Sequence, residues 1–134
     1  MVVDDIPTAS IVVRRLLGKL GFTNIVECES GEKAYARLRT DKIDLIICDL
    51  HLGDMSAVEL LHRIKSDPSS QPPAFIIMTS DLSGEELRSL QQAGASAYIL
   101  KPIELENLRS KVETTLGKHI DPAASKTNEP CKPK

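Results

Sequence analysis

Several residues that can bind a cation, act as a nucleophile or donate a hydrogen bond stand directly after apolar runs of this sequence. They are Asp4 and Asp5 after residues 1–3, Asp49 after residues 43–48, Thr79 after residues 74–78 and Lys101 after residues 97–100. Strand ends meet solvent and often carry polar residues, so any one of these positions alone has a simple structural explanation. All four ends together, with Asp in place of Glu, one hydroxyl and one Lys, favour a shared functional site.

The chemistry that such a set of side chains can perform is restricted. Three neighbouring carboxylates raise each other's pKa unless a cation neutralises them, and oxygen ligands of this kind suit Mg²⁺. A carboxylate beside that metal can attack phosphorus and form an aspartyl-phosphate. Lys101 and Thr79 would then stabilise the phosphoryl oxygens. No Ser-His-Asp set and no Gly-rich phosphate loop is evident, which argues against acyl transfer.

Apolar runs and helical patterns alternate five times along the chain and predict the elements that position these residues. Pro7 and Thr8 open the first helix, with Thr8 as a candidate cap, and Gly21 ends it. The apolar positions expected to face the core from this helix are Ala9, Val12, Val13, Leu16, Leu17 and Leu20. A second strand is expected over residues 24–28, and further helices start near Ser30, Ser56, Ser83 and Glu104.

This order of elements predicts an α/β fold, with a doubly wound five-stranded parallel sheet and five helices on its two faces. The strand order 2-1-3-4-5 is taken from flavodoxin-like proteins and does not follow from this sequence alone. In that topology strands one, three, four and five end at one crevice, which is where open α/β sheets bind their ligands. Ser83 and Glu86 have the spacing of a capping box.

Length and composition set outer bounds on the function. The 134 residues suit one domain, here residues 1–117. The net charge of −2 gives no electrostatic case for binding to nucleic acid. No apolar run approaches the ~20 residues of a membrane span, and no secretory signal is visible, so a cytoplasmic location is expected. Cys28, Cys48 and Cys131 form no metal spacing and cannot all pair, and Cys28 and Cys48 are interpreted as buried, reduced thiols. The polar residues 118–134 are expected to be disordered or a linker.

The residues at the four strand ends resemble those of the receiver domain of two-component response regulators, the CheY-like family. The resemblance rests on Asp4-Asp5, Asp49, Thr79 and Lys101-Pro102, each in register with a strand end. It implies that Asp49 accepts a phosphoryl group from a histidine kinase or a histidine phosphotransfer protein. The domain would act as a switch for a downstream protein target and not as a metabolic enzyme.

The resemblance also implies roles for the surrounding residues. Asp5 and Asp49 would bind Mg²⁺ directly, Asp4 would bind it through water, and the backbone carbonyl of His51 would be a further ligand. Lys101 would contact the phosphoryl group. As switch residues, Thr79 would move toward that group, and Tyr98 would move inward and change the surface of the fourth helix, fifth strand and fifth helix.

Three further positions bear on the likeness to receiver domains. Gly53 and Ala57 stand where the family usually has Pro and Gly, so the geometry of the loop after Asp49 is an open question. The Lys-Pro bond before Pro102 is expected to be cis, which is otherwise the minority form.

Three other functions compete with a phosphorylated receiver. A pseudo-receiver would use the same fold only for protein docking, but it would not need the metal-binding residues. A phosphohydrolase of the haloacid-dehalogenase type would carry a second Asp two residues after the nucleophile, where this sequence has His51. A flavin-binding protein is disfavoured because aromatic residues make up only 3% of the chain, with no Trp to stack on the flavin.

Overall fold

The computed structural model describes residues 1–67, 72–80 and 83–117, and within them strands and helices alternate as predicted. The predicted tail 118–134, with Cys131, lies outside the described residues. The strands are β1 (Val2–Val3), β2 (Glu27–Cys28), β3 (Leu45–Asp49), β4 (Ala74–Thr79) and β5 (Ala97–Leu100). The helices are α1 (Pro7–Lys19), α2 (Gly31–Thr40), α3 (Ala57–Ser66), α4 (Gly84–Ala93) and α5 (Leu105–Leu116).

The five strands form one parallel sheet in the order β2-β1-β3-β4-β5, which confirms the predicted fold class and strand order. Side chains alternate between the two faces of each strand. In β3, Ile46 and Cys48 pack with α2, α3 and α4, whereas Leu45 and Ile47 pack with α1 and α5. Because both faces are covered, the central strands are apolar along their length and become polar only where they leave the sheet.

Local side chains explain where most helices begin. Ser30, Ser56 and Ser83 each accept a hydrogen bond from the backbone N–H three residues later, and Ser83 forms the predicted capping box with Glu86. Thr8 does not cap α1, because the helix begins one residue earlier, at Pro7, and Ile6 is its N-cap without a side-chain hydrogen bond. Proline needs no such partner at this position, since it has no N–H to satisfy.

Two sequence predictions were wrong in ways that the packing explains. Val12 was expected to face the core, but it is 50% exposed, whereas its neighbour Val13 is 2% exposed. Consecutive helical residues lie 100° apart, and α1 buries only a stripe against the sheet.

The second strand was expected over residues 24–28, but β2 contains only Glu27–Cys28. It lies at the edge of the sheet, and its ladder is as short as that of β1, with which it pairs through Val2 and Val3.

Cys28 and Cys48 are buried, as expected, and neither forms a disulfide within the described residues. The peptide bond between Lys101 and Pro102 is cis, as the resemblance to receiver domains implied. None of the helices in the described part of the chain is long and apolar enough to cross a membrane.

The two neighbouring valines of α1 offer a matched test of this packing. We expect Val13→Ala to lower the free energy of unfolding by about 2 kcal/mol, because it removes buried methyl groups and leaves a cavity. Val12→Ala should change it by less than about 0.5 kcal/mol, because the side chain is half exposed. Urea denaturation of the two variants measures both values. Equal losses would contradict the described orientation of α1.

Candidate functional site

An ion pair between Asp49 and Lys101 spans the carboxyl edge of the sheet. Asp49 ends β3 and Lys101 follows β5, and Lys101 Nζ lies 2.8 Å from Asp49 Oδ1. The strand between them, β4, holds both neighbours through its backbone. Leu50 N–H donates to the carbonyl of Met78, and Lys101 N–H donates to the carbonyl of Thr79, each at 2.8 Å. The rigid ladder of β4 therefore sets the distance between this carboxylate and this ammonium.

Asp4 is the buried acid of the site. Asp4 as a whole residue is 2% exposed, and its Oδ1 accepts a hydrogen bond of 2.9 Å from Ile6 N–H. Its Oδ2 has no hydrogen-bond partner within the described residues, and the nearest cation, Lys101 Nζ, is 3.8 Å away. Burial raises the pKa of Asp4, and the neighbouring carboxylates Asp49 and Asp5 raise it further. A buried oxygen without a hydrogen-bond partner is costly, and a cation beside it would offset that cost.

Three carboxylates meet at this edge of the sheet. One oxygen each from Asp4, Asp5 and Asp49 lies within 4.8 Å of the others, and the three residues are buried, exposed and half-buried in that order. This gradient leaves one side of the cluster open to solvent. Carboxylate oxygens that converge from two strand ends are the donor set that a hard divalent cation prefers, so the residues fit such an ion.

The side chain of His51 lies outside the carboxylate cluster. It is 75% exposed, and its Nε2 is 3.5 Å from Glu86 Oε2 at the start of α4. The backbone of His51 forms an isolated antiparallel bridge with Ser56. The backbone of His51 therefore lies in the loop that borders the site, and its role as a carbonyl ligand stays a prediction.

Thr79 and Tyr98 lie on one face of the sheet. Tyr98 is aligned with Ile77, two residues before Thr79. Thr79 is 5% exposed, and Tyr98 is partly buried against the core on the side of α2, α3 and α4. The Nζ of Lys111, on α5, lies 5.6 Å from the centre of the Tyr98 ring. Thr79 thus lies at the end of β4, where its backbone carbonyl accepts from Lys101 N–H, and Tyr98 contacts α5 through Lys111.

Sequence reasoning missed Asp54, in the loop after β3. Its carboxylate accepts hydrogen bonds from the N–H groups of Gly31 (3.0 Å) and Glu32 (2.9 Å), at the start of α2. These hydrogen bonds, the one from Gly31 first among them, lower the pKa of Asp54. An Asp in a turn usually bonds its own backbone nearby. The contact with α2 spans 23 residues of sequence, and no local pattern predicts it.

Comparison with known proteins identifies the class to which this fold and site belong. The profile of the response regulator receiver domain matches residues 1–113. The chain is 27% identical over 113 residues to the chemotaxis protein CheY of Pseudomonas aeruginosa, covering 84% of this chain and 91% of that protein. It is 29% identical over 113 residues to the chemotaxis protein CheY-3 of Vibrio cholerae, covering 84% and 87%.

A solved structure gives the same result. The CheY-like response regulator receiver domain protein of Methanospirillum hungatei superposes with a TM-score of 0.76 at 26% identity, over 87% of this chain and 90% of that one. The chain therefore belongs to the response regulator receiver domain family, which acts in two-component signalling.

The raised pKa of Asp4 leads to a prediction about how the stability of the protein depends on pH. Because the pKa of Asp4 is raised by folding, its charged form opposes folding, and stability is lost as the pH rises through that raised pKa. We expect Asp4→Asn to raise the free energy of unfolding by about 1–2 kcal/mol at pH 7 without divalent cations. At a pH below the pKa of an ordinary Asp the gain should vanish. Urea denaturation across pH measures it.

The response of Asp4→Asn to Mg²⁺ provides a control for this prediction. A divalent cation that binds only the folded state stabilises the wild type, and Asp4→Asn should gain less from it. The advantage of the variant should therefore shrink when Mg²⁺ is added. A variant that is less stable than the wild type at pH 7 in metal-free buffer would contradict the account of Asp4 as an uncompensated buried charge.

Proposed function

We propose that this domain is a phosphorylation-dependent switch that accepts a phosphoryl group on Asp49 from a phosphohistidine protein. The observation that supports this most directly is the contact of 2.8 Å between Asp49 Oδ1 and Lys101 Nζ, beside two further carboxylates. An ammonium held next to a partly exposed carboxylate can bind the phosphoryl oxygens as they arrive. It therefore lowers the charge repulsion between the attacking acid and an anionic donor.

The transfer is an in-line displacement at phosphorus. A carboxylate oxygen of Asp49 forms the new P–O bond while the P–N bond of a phosphohistidine breaks. The electron pair of that bond returns to the ring nitrogen, and the other ring nitrogen of the donor is already protonated. The products are an acyl phosphate on Asp49 and a neutral imidazole. Positioning and charge stabilisation provide most of the catalysis in such transfers. Lys101 and Thr79 are the residues that we assign to the phosphoryl oxygens.

We assign the metal site to Mg²⁺. Asp5 and Asp49 would bind it directly, Asp4 through a water molecule, and the carbonyl of His51 as a further ligand. The buried oxygen Asp4 Oδ2, which has no partner within the described residues, supports a cation at this place. When bound, Mg²⁺ neutralises charge on the carboxylates and on the phosphoryl oxygens.

The phosphoryl group would change the surface formed by α4, β5 and α5 through Thr79 and Tyr98. Movement of the Thr79 hydroxyl toward the phosphoryl group would leave space on the face where Tyr98 is already partly buried. Inward rotation of Tyr98 would then withdraw its ring from Lys111. A downstream protein that binds this surface would distinguish the two states.

A phosphohistidine partner needs a docking surface beside the site. Ile6, Ile11 and Val12 are 51%, 45% and 50% exposed, at the N-cap and in the first half of α1, directly after Asp4 and Asp5. Exposed apolar side chains in a group are typical of protein contact surfaces. We therefore propose that the histidine kinase or phosphotransfer protein binds over the start of α1. Such a phosphorelay is expected to operate in the cytoplasm, where the thiols of Cys28 and Cys48 stay reduced.

The first test is the acceptor itself. Incubation with Mg²⁺ and acetyl phosphate, or with a phosphorylated histidine kinase, should add one phosphoryl group to the wild type, detected by intact-protein mass spectrometry. Asp49→Ala should remove this labelling, because it removes the nucleophile, and chelation of Mg²⁺ should suppress it. Asp44→Ala, just before the opposite end of the same strand, is the matched control and should be labelled normally. Labelling that persists in Asp49→Ala would exclude Asp49 as the acceptor.

Lys101→Met separates the role of the ammonium from that of the metal. The variant keeps a side chain of similar length, and we expect labelling by acetyl phosphate to slow roughly 10²-fold, as after loss of one charge-stabilising donor. Mg²⁺ affinity should stay equal or increase, because a competing cation next to Asp49 is gone. Lys33→Met, on the exposed face of α2, is the control. An unchanged labelling rate in Lys101→Met would refute the assigned role.

A pseudo-receiver that only docks proteins is the second candidate, and the intact site argues against it. A docking module has no need of three converging carboxylates paired with a lysine. A wild-type protein that gains no phosphoryl group from any donor and shows no spectral change with beryllofluoride and Mg²⁺ would favour the docking function.

A further inference from the structure

We propose that Asp54 is a positioning residue of the phosphorylation site: it fastens the loop between β3 and α3 to the first turn of α2 and thereby fixes the loop residues next to the metal. The inference rests on the proposed function for its effect on phosphorylation. The fastening itself rests only on contacts within the chain.

The first turn of α2 is capped by one neighbouring residue and by one residue that is distant in the sequence. The first amides of any helix lack partners within the helix. Ser30 Oγ accepts from Lys33 N–H at 3.1 Å, which is a local cap. The N–H groups of Gly31 and Glu32 are satisfied by Asp54 instead, one by each carboxylate oxygen. The carboxylate also lies at the positive end of the helix dipole. Asp54 is thus held by charge-assisted hydrogen bonds in a defined orientation.

A second contact reinforces the fastening. Met55, the next residue, is buried and packs into the place where Gly31 lacks a side chain. A Cβ at position 31 would lie 2.5 Å from Met55 Cγ and Sδ. Arg63 of α3 also forms an ion pair with Glu32. The start of α2 therefore contacts both the loop after β3 and the helix that follows it.

The loop is a tight reversal that depends on outside support. Leu52 N–H donates to the carbonyl of Met55 at 3.0 Å, and Ala57 N–H donates to the carbonyl of Leu50 at 2.9 Å. Gly53 stands at the tip of this reversal, and glycine has the largest conformational freedom of any residue. A side chain at Gly53 would lie 3.7 Å from Asp5 Oδ2. The tip thus lies near Asp5, and the contacts of Asp54 and Met55 with the start of α2 set its position.

Two simpler explanations make different predictions. If Asp54 acted only as a helix cap, losing it would resemble the loss of Ser30, which caps the same turn but does not touch the loop. If Asp54 acted only as a negative charge near the metal, salt would screen its effect within a few ångströms. If Asp54 fixes the loop, the loss of Mg²⁺ affinity should be specific to substitutions of Asp54 and should persist at high salt.

The experiment compares Asp54→Ala, Asp54→Asn and Ser30→Ala with the wild type. In metal-free protein, hydrogen exchange of the Leu52 and Ala57 amides should accelerate in Asp54→Ala and stay near the wild-type rate in Ser30→Ala. Calorimetry with Mg²⁺ should give a roughly 10- to 100-fold weaker affinity for Asp54→Ala, the range found when a residue that orients metal ligands is lost. Because Asn keeps one acceptor oxygen, the Mg²⁺ affinity of Asp54→Asn should lie between those of the wild type and Asp54→Ala.

Salt and labelling complete the test. The Mg²⁺ deficit of Asp54→Ala should be the same at about 0.05 M and about 0.5 M KCl, and labelling of Asp49 by acetyl phosphate should slow in parallel. Unchanged loop exchange, an equal effect of Ser30→Ala, or a deficit that disappears at high salt would overturn the proposal. A wild type that is never labelled refutes the proposed function instead, and the exchange data still decide whether Asp54 fastens the loop.

Discussion

Repulsion among negative charges at one edge of a parallel sheet is the constraint on which the rest of this structure depends. Asp4, Asp5 and Asp49 lie within reach of one cation, and Lys101 compensates only part of their charge, at 2.8 Å from Asp49 and 3.8 Å from Asp4. The carboxylate farthest from solvent has the raised pKa. Such a cluster is destabilised by its own negative charge, and a cation that neutralised the carboxylates would relieve that repulsion.

The core of the protein provides the rigidity that this cluster requires. β4 is buried from Phe75 to Thr79 and pairs with β3 on one side and β5 on the other, so it fixes the distance between the acid and the lysine. Close-packed interiors resist small displacements. Polar chemistry is therefore confined to the last paired residues, such as Asp49 and Thr79, and to the residues that follow them. The same strand ends in Thr79 at this edge and aligns Tyr98 with Ile77, on the face that packs against α2, α3 and α4.

The loop after Asp49 has only two backbone hydrogen bonds of its own, and its side chains attach it to neighbouring helices. Asp54 and Met55 connect it to α2, and His51 lies toward α4 through Glu86. The open question about its geometry, raised by Gly53 and Ala57, has a structural answer. Ala57 is fully buried, and its N–H donates to the carbonyl of Leu50. Gly53 is not among the described glycines with positive φ. The loop thus reaches a tight reversal with these two residues in place.

The sequence by itself determined the element order and the strand ends that carry Asp4, Asp49, Thr79 and Lys101, because burial on both faces makes central strands apolar until they leave the sheet. It also determined the capping box of α4, which is a local interaction. Only the tertiary structure decided that Val12 faces outward, that β2 shortens to match β1, and that Asp54 caps a helix 23 residues away. These outcomes depend on which surfaces meet in space, and periodicity along the chain carries no information about that.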